Sequence, residues 1–220
     1  MRKLSFITMA ILLSALTANA GTLLINFETV PLIPTGPSTF GGPMQTIVVP
    51  GVATFTGGTV LGNASSFPAQ SFATSPNIYA TAGFGGPSLS STLTIALDPA
   101  FGTVGEVSFP LFNGATQLET YIVNAFDGAT LVATQTFSNI PANTASGFAI
   151  ADILSPTITS VTIAPLSLNA TCCDGWDFAI DSVALNSSVQ QAFTTPEPAS
   201  FVLIALALVL GCILKLLARI

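Results

Sequence analysis

The segment between Lys3 and Lys215 contains no lysine, arginine or histidine. All ten acidic residues lie within it, so its formal side-chain charge is 0 − 10 = −10 and no ion pair can form inside it. Apolar packing and backbone hydrogen bonds must therefore hold any folded state. Solvent-facing helices usually present charged residues opposite an apolar stripe, and the scarcity of charges here argues against a helical domain.

The missing cations also exclude several classes of function. Nucleic-acid binding depends on lysine and arginine contacts to phosphate, so we expect no nucleic-acid partner. Ser-His and Cys-His nucleophilic sites and His-ligated metals require histidine, which the chain lacks. Carboxylate chemistry and oxygen-ligated calcium remain open.

Alternating apolar residues predict β-strands through the middle of the chain. The predicted strands are 23–27, 47–55, 93–97, 107–111, 118–126, 131–137, 147–152, 158–163 and 177–185. In the fifth of these, Leu118, Thr120, Ile122 and Phe126 share one face, with Asn124 between them. Segments 31–42 and 57–87 are richer in Gly, Pro and Ser, and we expect long loops there. Many short strands without helices between them predict an all-β, antiparallel β-sandwich.

The last predicted strand changes its alternation in the middle. Trp176, Phe178 and Ile180 share one parity, whereas Val183 and Leu185 share the other. A bulge near residues 181–182 would bring both sets to the core.

The N-terminus has the three parts of a secretory signal peptide. Arg2 and Lys3 precede an apolar run, and Ala18-Asn19-Ala20 is a typical cleavage site. We therefore predict a signal peptide over residues 1–20, with cleavage between Ala20 and Gly21. The alternative is an uncleaved membrane anchor.

The C-terminus predicts one membrane-spanning helix. The apolar run Phe201–Leu214 is short for a bilayer, but Lys215 can snorkel and extend the span. Lys215 and Arg219 follow the span, which places the C-terminus in the cytoplasm and the middle domain outside. The signal peptide predicts the same topology.

The tripeptide Pro196-Glu197-Pro198, an apolar helix and a basic end resemble the PEP-CTERM sorting signal of exported bacterial proteins. The resemblance covers about residues 195–220 and implies processing by an exosortase and a role in extracellular polysaccharide. The basic cluster departs from the family, since Lys215 and Arg219 are spread out. The alternatives are a plain membrane anchor behind a rigid linker and a GPI signal.

The pattern Trp176-x-Phe178-x-Ile180-Asp181-x-Val183, with Asn124-x-Phe126-Asp127-Gly128 upstream, resembles the jelly-roll domain of PEP-CTERM proteins. The resemblance spans about residues 90–186 and implies a jelly-roll-like sandwich in front of the sorting tail.

Four carboxylates are candidate calcium ligands. In a sandwich the first and last strands are often neighbours, which would bring Glu28 towards Asp174, Asp177 and Asp181. Carboxylates that meet without a cation repel one another, and calcium would relieve that repulsion. The alternative is turn chemistry at Asp174-Gly175, and no other cofactor is expected.

Cys172 and Cys173 are adjacent in an exported chain. They are candidates for a vicinal disulfide, for pairing between molecules, or for two reduced thiols. Four aromatic residues could stack on sugar rings if they were exposed: Tyr79, Phe84, Tyr121 and Trp176.

The sequence thus predicts residues 1–20 as signal peptide, 21–188 as β-sandwich, 189–199 as linker and 200–220 as transmembrane helix with a basic end. The predicted function is that of an exported, non-catalytic surface or matrix protein, anchored in the membrane or processed and released. Binding of extracellular polysaccharide is the alternative. A carboxylate-based glycoside hydrolase is a more distant one.

Overall fold

The structure, a computed structural model, describes residues 22–30, 44–62, 77–81, 91–115, 117–141, 147–167 and 178–194. Within these residues the fold is all-β, with every strand pair antiparallel. The strands are β1 (Leu23–Ile25), β2 (Gln45–Val49), β3 (Ala53–Gly62), β4 (Asn77–Ala80), β5 (Leu93–Leu97), β6 (Val104–Asn113), β7 (Glu119–Asp127), β8 (Thr130–Ile140), β9 (Phe148–Ile158), β10 (Ser160–Ser167), β11 (Phe178–Ile180) and β12 (Val183–Leu185).

The strands form one continuous sheet that folds over itself into two layers. The first layer contains β1, β4, β6, β9, β11, β12 and the end of β3. The second layer contains β2, the beginning of β3, β5, β7, β8 and β10. Inward side chains of both layers form one apolar cluster between them, so the architecture is a β-sandwich.

Strand β3 passes from one layer to the other at Gly57-Gly58. Its first half pairs with β5 and its second half pairs with β4. Gly57 has φ +90°, and a Cβ there would lie 1.9 Å from the carbonyl oxygen of Thr92. Only glycine fits this corner, because other residues combine a disfavoured φ with a clash against backbone.

An aromatic cluster packs beside this corner. The Phe27 and Tyr79 rings stack at 5.3 Å, and Phe55 meets Phe27 edge-on at 5.2 Å. The Tyr79 hydroxyl accepts a 3.0 Å hydrogen bond from the Gly58 N–H and donates a 2.8 Å bond to the Gln45 carbonyl. Burial raises the pKa of Tyr79 to about 12, so this hydroxyl stays protonated and holds β2 against the corner.

The break predicted in the last strand is confirmed. Strands β11 and β12 are separate segments along β6, divided at Asp181-Ser182, where Ser182 has φ +49°. Residues of both parities lie in the core cluster: Phe178, Ile180, Val183 and Leu185.

Two sequence predictions about strands were wrong. The predicted strand 47–55 is two strands joined by a turn at Pro50–Val52. The region predicted as loop, 57–87, contains the end of β3 and all of β4. In β7 the predicted residues Leu118, Thr120, Ile122 and Phe126 do share a face, but it is the outer one. The core face is formed by Glu119, Tyr121, Val123 and Ala125. Apolar residues occur on both faces of β7, so periodicity alone could not identify its inner face.

One short helix, α1 (Val189–Thr194), lies in the segment predicted as linker. It packs against β1, β6 and β12 of the first layer. Ser188 caps it by accepting a 3.2 Å bond from the Gln191 N–H, and the Ser108 hydroxyl accepts 2.8 Å from the Val189 N–H. Within the described residues no helix has the length and apolarity to cross a membrane; the span predicted at 200–220 lies outside them.

Candidate functional site

A row of polar, uncharged side chains crosses the outer face of the second layer. The strand register aligns five residues on five neighbouring strands: Thr56 on β3, Thr94 on β5, Thr162 on β10, Asn124 on β7 and Thr134 on β8. Thr134 is exposed and the other four are half-buried. We call these five residues the threonine row.

Local sequence explains why these side chains point outwards. Each alternates along its strand with a core residue, as Thr56 does with Phe55, Thr94 with Ile95 and Thr162 with Val161. Successive residues of a strand point to opposite faces, so the buried apolar residue fixes its polar neighbour on the outside. Threonine is β-branched and suits a pleated surface.

The hydroxyl groups of the threonine row are largely unused by the protein. Those of Thr56, Thr94 and Thr162 make no hydrogen bond to any residue that the structure describes. The Thr134 hydroxyl donates to Asn124 Oδ1. That bond orients the Asn124 amide and leaves its Nδ2 donor without a partner among the described residues. The row therefore offers hydroxyl and amide groups to an external molecule.

A second row runs beside the first and is more apolar. Its residues, in strand order, are Val48, Thr54, Ala96, Ser160, Phe126 and Leu131. Phe126 is half-buried, and Leu131 is 55% exposed. Because Phe126 lies two residues after Asn124 on β7, an aromatic surface adjoins the amide.

Carboxylates flank one end of this face. Asp98 follows β5, and Asp127 ends β7. Both hold local structure: Asp98 Oδ1 accepts 2.8 Å from the Ala100 N–H, and Asp127 Oδ2 accepts 2.9 Å from the Thr157 hydroxyl. With no cation from Gly21 to Ala199, this surface repels anions and suits a neutral ligand.

The structure places two of the four predicted calcium ligands. Strand β1 pairs with β12, as expected for first and last strands, so Glu28 lies near the Asp181-Ser182 break. Asp174 and Asp177 lie outside the described residues. In the described part of the chain no three His, Cys, Asp or Glu side chains are grouped to hold a metal ion.

Glu28 and Asp181 have structural partners at this junction. Both Glu28 carboxylate oxygens lie 3.3 Å from the Asn77 N–H, which donates to them at the start of β4. Asp181 is fully buried, and its Oδ1 accepts 2.7 Å from the Ser182 N–H. The Glu28 bond joins the turn after β1 to β4, whereas the Asp181 bond lies within the break between β11 and β12. Calcium binding stays a prediction.

The structure brings together one carboxylate pair that sequence reasoning missed. Ser108 on β6 faces Asp152 on β9, and Glu106 faces Leu154, which places Glu106 diagonally from Asp152. Burial raises the pKa of Glu106, and the negative charge of Asp152 raises it further. The Ser108 hydroxyl donates to Asp152 Oδ1 while it accepts from helix α1. The only sequence signal was the shared parity of Glu106 and Ser108.

The strand segment that contains Glu106 and Ser108 also holds helix α1 through hydrogen bonds. Ser108 is fully buried and bridges the Asp152 carboxylate and the first N–H of the helix. The Glu106 carbonyl accepts 2.9 Å from the Asn186 N–H, just before the helix. The chain that leads towards the C-terminus is thereby held on the outer face of the first layer.

Two of the aromatic residues considered for sugar stacking are core residues. Tyr79 and Tyr121 are fully buried. The Tyr121 hydroxyl donates 2.9 Å to Asn113 Oδ1, and its ring packs on Phe178 at 5.3 Å. Neither can meet a ligand. Phe84 and Trp176 lie outside the described residues.

The remaining sequence-predicted sites also lie outside the described residues. They are the cleavage site Ala20-Gly21, the cysteine pair Cys172-Cys173 and the sorting motif Pro196-Glu197-Pro198. They remain predictions from sequence.

No protein-family model and no curated protein matches this chain. Among solved structures, it is similar to a cleaved adhesin domain of Lys-gingipain, with 13% identity, a TM-score of 0.44 and coverage of 77% of this chain and 99% of that chain. It is also similar to a mutant of a family 29 carbohydrate-binding module, with 9% identity, a TM-score of 0.37 and coverage of 80% and 96%. A family 35 carbohydrate-binding module from Paenibacillus barcinonensis gives 13% identity, a TM-score of 0.31 and coverage of 67% and 100%. Similarity at this level assigns neither a family nor a ligand to the chain.

Proposed function

We propose that this protein is an exported, non-catalytic surface or matrix protein that attaches to uncharged extracellular polysaccharide. The outer face of the second layer is the attachment surface. The observation that carries this proposal is the threonine row, whose hydroxyls at Thr56, Thr94 and Thr162 have no partner among the described residues.

The chemistry of this face suits a sugar polymer. Sugar hydroxyls both donate and accept hydrogen bonds, as threonine hydroxyls do, and the asparagine amide does so with separate atoms. Phe126 adds apolar surface for the C–H face of a sugar ring. Each such contact is weak, so useful affinity requires several along one polymer, which a row on five strands supplies.

The hydrogen bonds of the carboxylates support a non-catalytic role. Five of the described acids accept bonds from backbone or hydroxyl groups that shape turns, strand ends or the helix contact: Glu28, Asp98, Asp127, Asp152 and Asp181. A general acid or base must instead reach substrate.

Export and sorting complete the proposal. Residues 1–20 direct export, and residues 195–220 anchor the chain until an exosortase recognises Pro196-Glu197-Pro198. The jelly-roll-like sandwich lies outside the cytoplasm, and helix α1 leads the chain to this tail. The support for sorting is the sequence pattern described above.

Affinity electrophoresis tests the attachment surface. The mature protein should be retarded in native gels that contain neutral hydroxyethyl cellulose or dextran, and not in gels that contain anionic alginate. Thr162→Glu, in the centre of the row, should abolish the retardation because it adds bulk and charge. Thr103→Glu, at an exposed position before β6, is the matched control and should behave as the wild type. A wild type that migrates freely through both neutral gels, or equal retention of the two variants, contradicts the proposal.

Intact-mass measurement of the protein from its native host tests the sorting. A chain that begins at Gly21 and ends near residues 196–199 supports export and processing. A chain that still ends at Ile220 shows that the tail is not processed.

A further inference from the structure

The geometry of the threonine row points to the shape and direction of its ligand, and this inference rests on the proposed function. We infer that the face binds a neutral, unbranched glycan that lies across the strands, at right angles to them, with about one sugar unit per strand.

The spacing of the threonine row matches the repeat of an extended glycan. Adjacent strands are about 4.8 Å apart, so five strands place the outermost residues of the row about 19 Å apart. One pyranose unit of an extended glycan advances by a similar length. A straight chain along the row can therefore meet one polar side chain per unit, from Thr56 to Thr134.

The chemistry along the strands carries the second step. Residues of one face are about 6.7 Å apart along a strand, and the levels on either side of the row contain more apolar residues than the row itself. The next level on one side of the row contains Ala96, Phe126 and Leu131 together with Thr54 and Ser160, and the level on the other side contains Ala164 and Ile122 beside Thr136. On strand β7, a chain parallel to the strand would pass from the Asn124 amide onto the apolar Ile122 or Phe126. A chain across the strands keeps its hydroxyls on the polar level and its ring faces beside apolar ones.

The charges carry the third step. Asp98 and Asp127 lie at one end of the face, and no cation lies anywhere from Gly21 to Ala199. Uronic acids and sulfated sugars would bring negative charge towards these carboxylates without compensation. A neutral chain therefore fits best, and an unbranched one can contact each of the five residues of the row in turn.

The experiment is titration calorimetry of the mature protein with cello-oligosaccharides of two to six units. Affinity should rise with each added unit and level off at roughly five units, the length of the row. Thr94→Val and Thr162→Val keep the β-branched shape and remove one hydroxyl. Each should weaken binding of the five-unit sugar about three- to tenfold, the loss of one hydrogen bond.

Thr136→Val is the matched control. Thr136 is exposed on β8, two residues from Thr134 and one level away from the row. It should bind as the wild type does, and unchanged circular dichroism shows that all three variants fold. An equal loss in Thr136→Val and Thr162→Val, or affinity that is independent of sugar length while the polysaccharide gels still retard the protein, overturns the across-strand arrangement. Absence of retardation in the gels overturns the proposed function itself.

Discussion

We expect a side chain at the corner of β3 to lower the stability of the fold, and the structure allows this cost to be divided into two contributions. Gly57→Ala adds a Cβ that would lie 1.9 Å from the Thr92 carbonyl oxygen, at a residue with φ +90°. The left-handed backbone alone costs about 1–2 kcal/mol for alanine. The Thr92 carbonyl is a backbone group next to the paired strand β5, so it cannot rotate away from the added Cβ. A forced backbone shift costs about 1–3 kcal/mol more. The two contributions add up to an expected loss of about 2–5 kcal/mol in the free energy of unfolding.

Two other glycines allow the cost of the left-handed φ to be measured apart from the cost of the clash. Gly51, in the β2–β3 turn, has φ +69° with nothing within 4 Å of an added Cβ, so Gly51→Ala should lose only the backbone cost of about 1–2 kcal/mol. Gly105, in β6, has open space and an ordinary φ. Gly105→Ala should be neutral or stabilise by about 0.4–1 kcal/mol.

Thermal and urea unfolding of the mature protein, followed by circular dichroism, measure the series. For a domain of this size about 1 kcal/mol corresponds to about 2–4 °C, so Gly57→Ala should lower the melting temperature by about 4–20 °C. If Gly57→Ala and Gly51→Ala are equally stable, the close approach to Thr92 is wrong, and the crossing of β3 between layers loses its physical basis.

Three further predictions concern hydrogen bonding, pH and proteolysis. Tyr79→Phe keeps the stacked ring but removes the hydroxyl that bonds the Gly58 N–H and the Gln45 carbonyl. Urea unfolding should show that the free energy of unfolding falls by about 1–3 kcal/mol. A fall below about 0.5 kcal/mol would contradict this pair of buried hydrogen bonds. Burial and the charge of Asp152 raise the pKa of Glu106 above its ordinary 4.5. Ionisation of Glu106 therefore opposes folding. The stability of the protein should fall as pH rises from about 4.5 through the raised pKa. In Glu106→Gln this fall in stability should be absent from urea midpoints measured across the same pH range. If the variant keeps the pH profile of the wild type, Glu106 is not the group responsible. Since no lysine or arginine lies between Lys3 and Lys215, mass spectrometry after trypsin should find the denatured domain uncut, and several mid-chain tryptic fragments would contradict the sequence.

The sequence alone determined the class of the fold and several of its details. Strict alternation identified β1 and β5, and the change of parity between Ile180 and Val183 located the break in the last strand. These features are local, because the backbone pleat gives period two and one extra residue reverses it. The cation-free composition likewise limits the chemistry open to the domain, because a missing residue type is missing in every possible fold.

Only the tertiary structure decided which face of β7 is buried and which residues share a surface. Ile122 and Phe126 alternate as regularly as Tyr121 and Val123, and the choice between the two faces came from packing against the other layer. The threonine row assembles from five strands that are distant in sequence, and the Glu106–Asp152 pair arises from the register of β6 and β9. Strand register depends on contacts across the whole sheet, whereas periodicity is confined to one strand, so the candidate site could appear only after the chain had folded.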